Sequence, residues 1–63
     1  MIEEEIVERT YESTIQQMST HLFNVLLISR DADERERAER TFQAGVRKAR
    51  EIRDRVKQLF QRE

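Results

Sequence analysis

The chain has 63 residues, of which 40% are charged and 37% hydrophobic, with one glycine and no cysteine or proline. The absence of cysteine excludes a disulfide scaffold and a thiolate metal site, and the single glycine excludes a glycine-rich phosphate loop. The net charge of −1 gives no general attraction to nucleic acid or anionic lipid, and so short a chain could hardly form a concave catalytic pocket alone.

The first predicted element is a helix at about 2–28. Its apolar residues recur at alternating spacings of four and three, which is typical of a helix that packs along one seam. These residues are Tyr11, Ile15, Met18, Leu22 and Val25. The nearly apolar run at 22–28 is far shorter than the ~20 residues that cross a bilayer. The N-terminal sequence also lacks the features of a signal peptide. We therefore expect a cytoplasmic protein with no membrane contact.

A turn is predicted at about 29–31, where the heptad stripe changes phase. An extension of the first seam would place Glu36 and Glu39 at apolar positions. Asp31 and Glu34 have the spacing of a capping box, in which Asp31 accepts from the backbone and Glu34 reaches back. The alternative is one continuous helix, which the i,i+4 charge pairs of this region would also suit. The change of phase favours the hairpin.

The second predicted helix covers about 32–61 and has its own heptad seam. The seam residues are Ala38, Phe42, Gly45, Ala49, Ile52, Val56 and Leu59. Folding at the turn would place large side chains of the first helix against small ones of the second, with Met18 against Gly45. The Glu-rich start, 1–12, would then lie beside the basic end, 46–62, and this match selects the antiparallel register. The predicted fold is an all-α, antiparallel two-helix hairpin.

Two features of the first helix have side chains that could carry chemistry, a histidine and a row of carboxylates. His21 has no strong metal ligand three or four residues away, and we expect it to be partly buried and hydrogen-bonded. The carboxylate row of Glu5, Glu8 and Glu12 lacks the Glu-x-x-His pairs of di-iron bundles, and we expect a solvated, salt-bridged face. We therefore predict no catalytic site, no metal and no cofactor, and the chain is not expected to be an enzyme.

A basic surface is predicted on the second helix. Arg47, Arg50 and Lys57 should point outward at a spacing that could contact phosphates. The alternative is that these cations have a structural role. Glu51 and Asp54 can form i,i+4 pairs with neighbouring cations, and cations near the C-terminus of a helix interact favourably with its dipole. The structural interpretation is preferred.

The stretch Asp31-Ala32-Asp33-Glu34, the chain length and the layering of large against small residues resemble the Rop family of plasmid-encoded RNA-binding modulators. The resemblance implies a hairpin that dimerises into a four-helix bundle. RNA binding in that family uses Lys, Asn, Phe and Gln on the first helix. Here the outward face of that helix is Glu-rich, with Gln16 and Ser19 as its polar candidates, so no RNA-contacting residue is carried over.

Self-association is predicted because one hairpin buries little apolar area, and pairing of two hairpins into a four-helix bundle increases it. Four apolar residues of the first helix lie outside the seam and could form the contact: Ile2, Ile6, Phe23 and Leu27. The predicted partner is a second copy, in a homodimer or higher oligomer, or another helical protein. The expected function is that of a protein–protein interaction module acting as adaptor, regulator or small subunit. The alternative is an RNA- or nucleic-acid-binding regulator that uses the basic surface of the second helix.

Overall fold

The computed structural model describes residues 2–62, which form two helices packed against each other. Helix α1 covers Ile2–Ile28 and helix α2 covers Ala32–Gln61. Helix α1 is rich in Glu and helix α2 in Glu and Arg, residues that favour helix, and the chain has no proline to interrupt them. The all-α hairpin predicted from the sequence is confirmed, and it is the architecture that the resemblance to Rop implies.

Residues 29–31 make the corner through hydrogen bonds of their own. The Ser29 N–H donates to the Val25 carbonyl at 2.8 Å and closes the last turn of α1. Asp31 is the N-cap of α2, and its Oδ1 accepts from the Asp33 N–H at 2.9 Å. The other half of the expected capping box is replaced: the Asp31 N–H donates to Ser29 Oγ at 3.2 Å, not to Glu34. The Ser29 hydroxyl reaches this N–H at a smaller cost in side-chain entropy than the longer Glu34 side chain would require.

The helices run antiparallel, as three cross-helix contacts show. Lys57 near the end of α2 pairs with Glu8 near the start of α1, and Arg50 contacts Tyr11. Nearer the corner, Met18 packs so closely on Gly45 that an ideal Cβ at this glycine would lie 2.7 Å from the methionine sulfur. The basic end of the chain therefore lies beside its acidic start.

The hairpin is long, flat and thinly packed, with principal extents of 50 × 16 × 8 Å. Among residues 2–62 only Val7 is buried, at 7% exposure. Most other seam side chains are half-buried, because two helices enclose each seam residue on one side only. In the described part of the chain, neither helix combines the length and apolar character needed to cross a membrane.

Candidate interaction surfaces

One flank of the seam is closed by polar pairs. Glu8 and Lys57 form an ion pair whose side chains are 41% and 30% exposed. The hydrogen bond from Lys57 lowers the pKa of Glu8, and this effect exceeds the opposing effect of desolvation. The Arg50 Nε donates to the Tyr11 hydroxyl at 3.4 Å. This flank joins the acidic side of α1 to the basic side of α2 and presents charged groups to solvent.

Arg53, which the apolar pattern treats as a surface residue, lies half-buried in the seam. Its guanidinium carbon lies 4.6 Å from the centre of the Tyr11 ring, and its side chain is only 24% exposed. The Arg53 Nε also donates to Asp54 Oδ1 at 3.1 Å, and this bond raises the pKa of Arg53. A cation over an aromatic face keeps its charge while its stem packs on apolar neighbours.

Two residues that were predicted to lie in the hairpin core are exposed instead. Ile52 is 52% exposed and Leu59 is 48% exposed. Ile52 instead lines the other flank of the seam, and Leu59 lies about two turns beyond Ile52 along α2. The remaining predicted core residues are half-buried along the seam: Tyr11, Ile15, Met18, Leu22, Val25, Ala38, Phe42, Gly45, Ala49 and Val56.

The buried residue Val7 was not among the predicted core residues. It lies four residues before Tyr11, so a backward extension of the first apolar stripe at helical spacing would have found it. His21 was expected to be partly buried, but its side chain is exposed. At 3.6 residues per turn it lies on the same flank as Thr14, beside the seam and not in it.

The second flank of the seam holds an apolar groove of about 410 Å³ between the helices. Its walls include Ile6, Thr10 and Thr14 from α1 with Gly45, Ile52 and Phe60 from α2. Lys48 and Arg53 are the charged side chains that line it, and Arg53 is already engaged by Asp54 and Tyr11. We call this surface the groove face.

The threonines of the groove face need no polar partner. Thr10 Oγ1 donates to the Ile6 carbonyl at 3.0 Å, and Thr14 Oγ1 donates to the Thr10 carbonyl at 3.0 Å. A hydroxyl that is bonded back to its own helix can be covered without leaving an unsatisfied donor. The two threonines therefore do not make this part of the groove wall unfavourable to cover with apolar groups.

The predicted self-association residues are all exposed, at 72% for Ile2, 53% for Ile6, 64% for Phe23 and 68% for Leu27. The structure does not bring all four onto one surface. Ile6 lines the groove, whereas Ile2, Phe23 and Leu27 are not among its wall residues. Ile28 adds a further exposed apolar side chain at the C-terminal end of α1, which the sequence reasoning had not included.

The three cations of the predicted basic surface differ in their surroundings. Arg47 and Arg50 are exposed, whereas Lys57 is half-buried and paired with Glu8. Arg50 also uses its Nε on Tyr11. Two of the three cations therefore contact groups of their own chain. Within residues 2–62, no cluster of three or more His, Cys, Asp or Glu side chains could hold a metal ion.

Compared with protein-family models, curated proteins and solved structures, the chain matches none of them.

Proposed function

We propose that this protein is a self-associating interaction module, a helical hairpin that pairs with at least one further copy in a four-helix bundle and acts as an adaptor, regulator or small subunit. One observation carries the proposal: the hairpin exposes 5426 Å² of surface. A folded monomer of 7.7 kDa is expected to expose about 4,300 Å². The excess of about 1,100 Å² is comparable to the ~800 Å² that each partner buries in a stable interface.

The excess surface contains the residues that a bundle would cover. Eight large hydrophobic side chains are exposed: Ile2, Ile6, Phe23, Leu27, Ile28, Ile52, Leu59 and Phe60. Scattered apolar residues on a surface need no explanation, but here they accompany a fold in which only Val7 of residues 2–62 is buried. Association would stabilise the folded hairpin, because the partner removes its exposed apolar side chains from water.

The test is the mass of the folded protein in solution. Light scattering at micromolar concentration should give at least twice 7.7 kDa, with a melting temperature that rises with concentration. A mass of 7.7 kDa together with a fully cooperative melt would overturn the proposal.

A second function, the binding of nucleic acid by Arg47, Arg50 and Lys57, is supported by the exposure of Arg47 and Arg50 on α2. Replacement of the three cations with Gln should leave the hairpin largely folded, because Arg47 and Arg50 are exposed and the partly exposed Glu8–Lys57 pair contributes little. If the surface binds phosphate backbones, binding should weaken steeply with salt, and the triple variant should lose it. Equal capture of RNA by the wild-type and triple-variant proteins would exclude this surface.

A further inference from the structure

We propose that the groove face binds an anionic amphiphile with a single unbranched chain, a long-chain fatty acid, whose carboxylate lies at Lys48 and whose tail runs toward Phe60. This inference goes beyond the self-association proposed above, and the two are tested by different measurements. The size, the polarity and the charge of the groove support it.

The groove has the volume and the length of one extended hydrocarbon chain. A cavity of ~150 Å³ holds the carbons of one benzene ring, so the groove volume of about 410 Å³ corresponds to roughly 16 carbons. From Lys48 to Phe60 the α2 wall is about 18 Å long at ~1.5 Å per residue. Carbon–carbon bonds of ~1.5 Å advance an extended chain by about 1.25 Å per carbon, so this length holds roughly 14 carbons. Volume and length therefore agree on one chain of about 14–16 carbons.

The walls of the groove can cover an apolar chain without leaving polar groups unsatisfied. Val7, Ile52 and Phe60 give them aliphatic and aromatic character, and the hydroxyls of Thr10 and Thr14 are bonded to carbonyls of α1. Sites for small ligands share this character, mostly apolar with a few polar groups that fix the orientation. A hydrocarbon chain in the groove would remove Ile52, 52% exposed, and Phe60, 42% exposed, from water.

The charges on the groove select an anionic head group and place it. Lys48 and Arg53 are the charged side chains that line the groove, and among residues 2–62 no carboxylate does. Arg53 is already engaged by Asp54. The Lys48 side chain is 72% exposed, and its Nζ is 4.0 Å from Glu51 Oε2, at the limit of an ion pair. Lys48 can therefore turn toward a ligand carboxylate at little cost.

The opposite end of the groove disfavours the carboxylate. Phe60 lines the groove at the end where α2 finishes beside the start of α1. The first turn of α1 carries Glu3, Glu4 and Glu5, which would repel an anionic head group. The apolar tail therefore occupies this end, and the head group occupies the end nearer the corner.

Titration calorimetry with saturated fatty acids from decanoate to stearate, below their micelle concentrations, tests the site. Each hairpin should bind one molecule, and the affinity should rise by up to about four-fold per added methylene as more apolar surface is buried. The rise should stop near 14–16 carbons, where the chain fills the groove. An affinity that does not depend on chain length would overturn the proposal. So would the absence of saturable palmitate binding to protein that circular dichroism shows to be helical.

Two matched pairs of variants locate the ligand. Lys48→Gln should weaken palmitate binding by about five-fold, whereas Arg47→Gln, which removes an exposed cation outside the groove, should leave it unchanged. Ile52→Glu puts a carboxylate in the wall and should weaken binding by roughly ten-fold or more. Leu27→Glu adds the same charge at an exposed residue that does not line the groove, and binding should persist. Equal losses within either pair would overturn the site.

The mass of the ligand-free protein tests self-association separately. A monomer that binds palmitate at the groove supports this inference and overturns the self-association. An oligomer that does not bind palmitate overturns this inference and leaves the self-association standing.

Discussion

Gly45→Ala tests the contact between Gly45 of α2 and the Met18 side chain of α1. Alanine adds a Cβ, and an ideal Cβ at position 45 would lie 2.7 Å from Met18 Sδ and 3.8 Å from Met18 Cε. Attractive contacts between heavy atoms are optimal at ~3.5–4.0 Å, so the sulfur must move by roughly 1 Å. The substitution therefore sets a gain within α2 against a clash with α1.

The two effects have known sizes. Alanine is more favourable than glycine in a helix interior by about 1 kcal/mol. Overpacking costs ~1–3 kcal/mol, and the flexible methionine side chain keeps it near the middle of that range. We expect Gly45→Ala to destabilise the wild-type protein by about 1 kcal/mol. In a Met18→Ala background the obstruction is absent, and Gly45→Ala should stabilise by about 1 kcal/mol.

The measurement is a double-mutant cycle of unfolding free energies, followed by helical circular dichroism at one fixed chain concentration because oligomer stability depends on it. The coupling energy between the two positions should be about 2 kcal/mol, which corresponds to a difference of roughly 8–16 °C in melting temperature for a small domain. If Gly45→Ala has the same effect with and without the methionine side chain, the contact does not explain the glycine.

Three further predictions follow from the capping, charge and aromatic contacts. Asp31→Ala should lower the free energy of unfolding in urea by ~0.5–2 kcal/mol, because the N-cap of α2 is lost. Asp31→Asn should cause a much smaller loss, because Asn also caps helices, and equal losses would contradict the capping role. Because the pKa of Glu8 lies below its ordinary value of 4.5, its pairing with Lys57 stabilises the fold at neutral pH, and this contribution should disappear as acid protonates Glu8. In Lys57→Gln protein, NMR titration should show the Glu8 pKa returning toward 4.5, and an unchanged pKa would refute the pairing. Tyr11→Phe keeps the ring under Arg53, so its melting temperature should be near that of the wild type. Tyr11→Leu removes the ring and should be less stable than Tyr11→Phe by ~0.5–1 kcal/mol. Identical melting temperatures of the two variants would exclude the cation–ring contact.

The hairpin and its antiparallel register could be predicted from the sequence because both depend on local or periodic signals. The phase change between the two apolar stripes separates the helices, and Asp31 has the residue type and position of an N-cap. A glycine inside a helix indicated a close neighbour, and Met18 provides it. The opposite charges of the chain ends indicated antiparallel pairing, which the Glu8–Lys57 pair bears out.

Tertiary structure decided which flank of the seam is polar and which is apolar. A heptad pattern treats Ile52 as core and Arg53 as surface, but a helix of 3.6 residues per turn drifts from that pattern and brings Arg53 into the seam, where its guanidinium contacts the Tyr11 ring. Ile52 is then turned outward, and it lines a groove with Ile6 from the other helix. Periodicity describes how each helix divides into faces, whereas the exposed apolar surface depends on side chains from two helices that are distant in sequence. That surface is visible only once α1 and α2 are packed together.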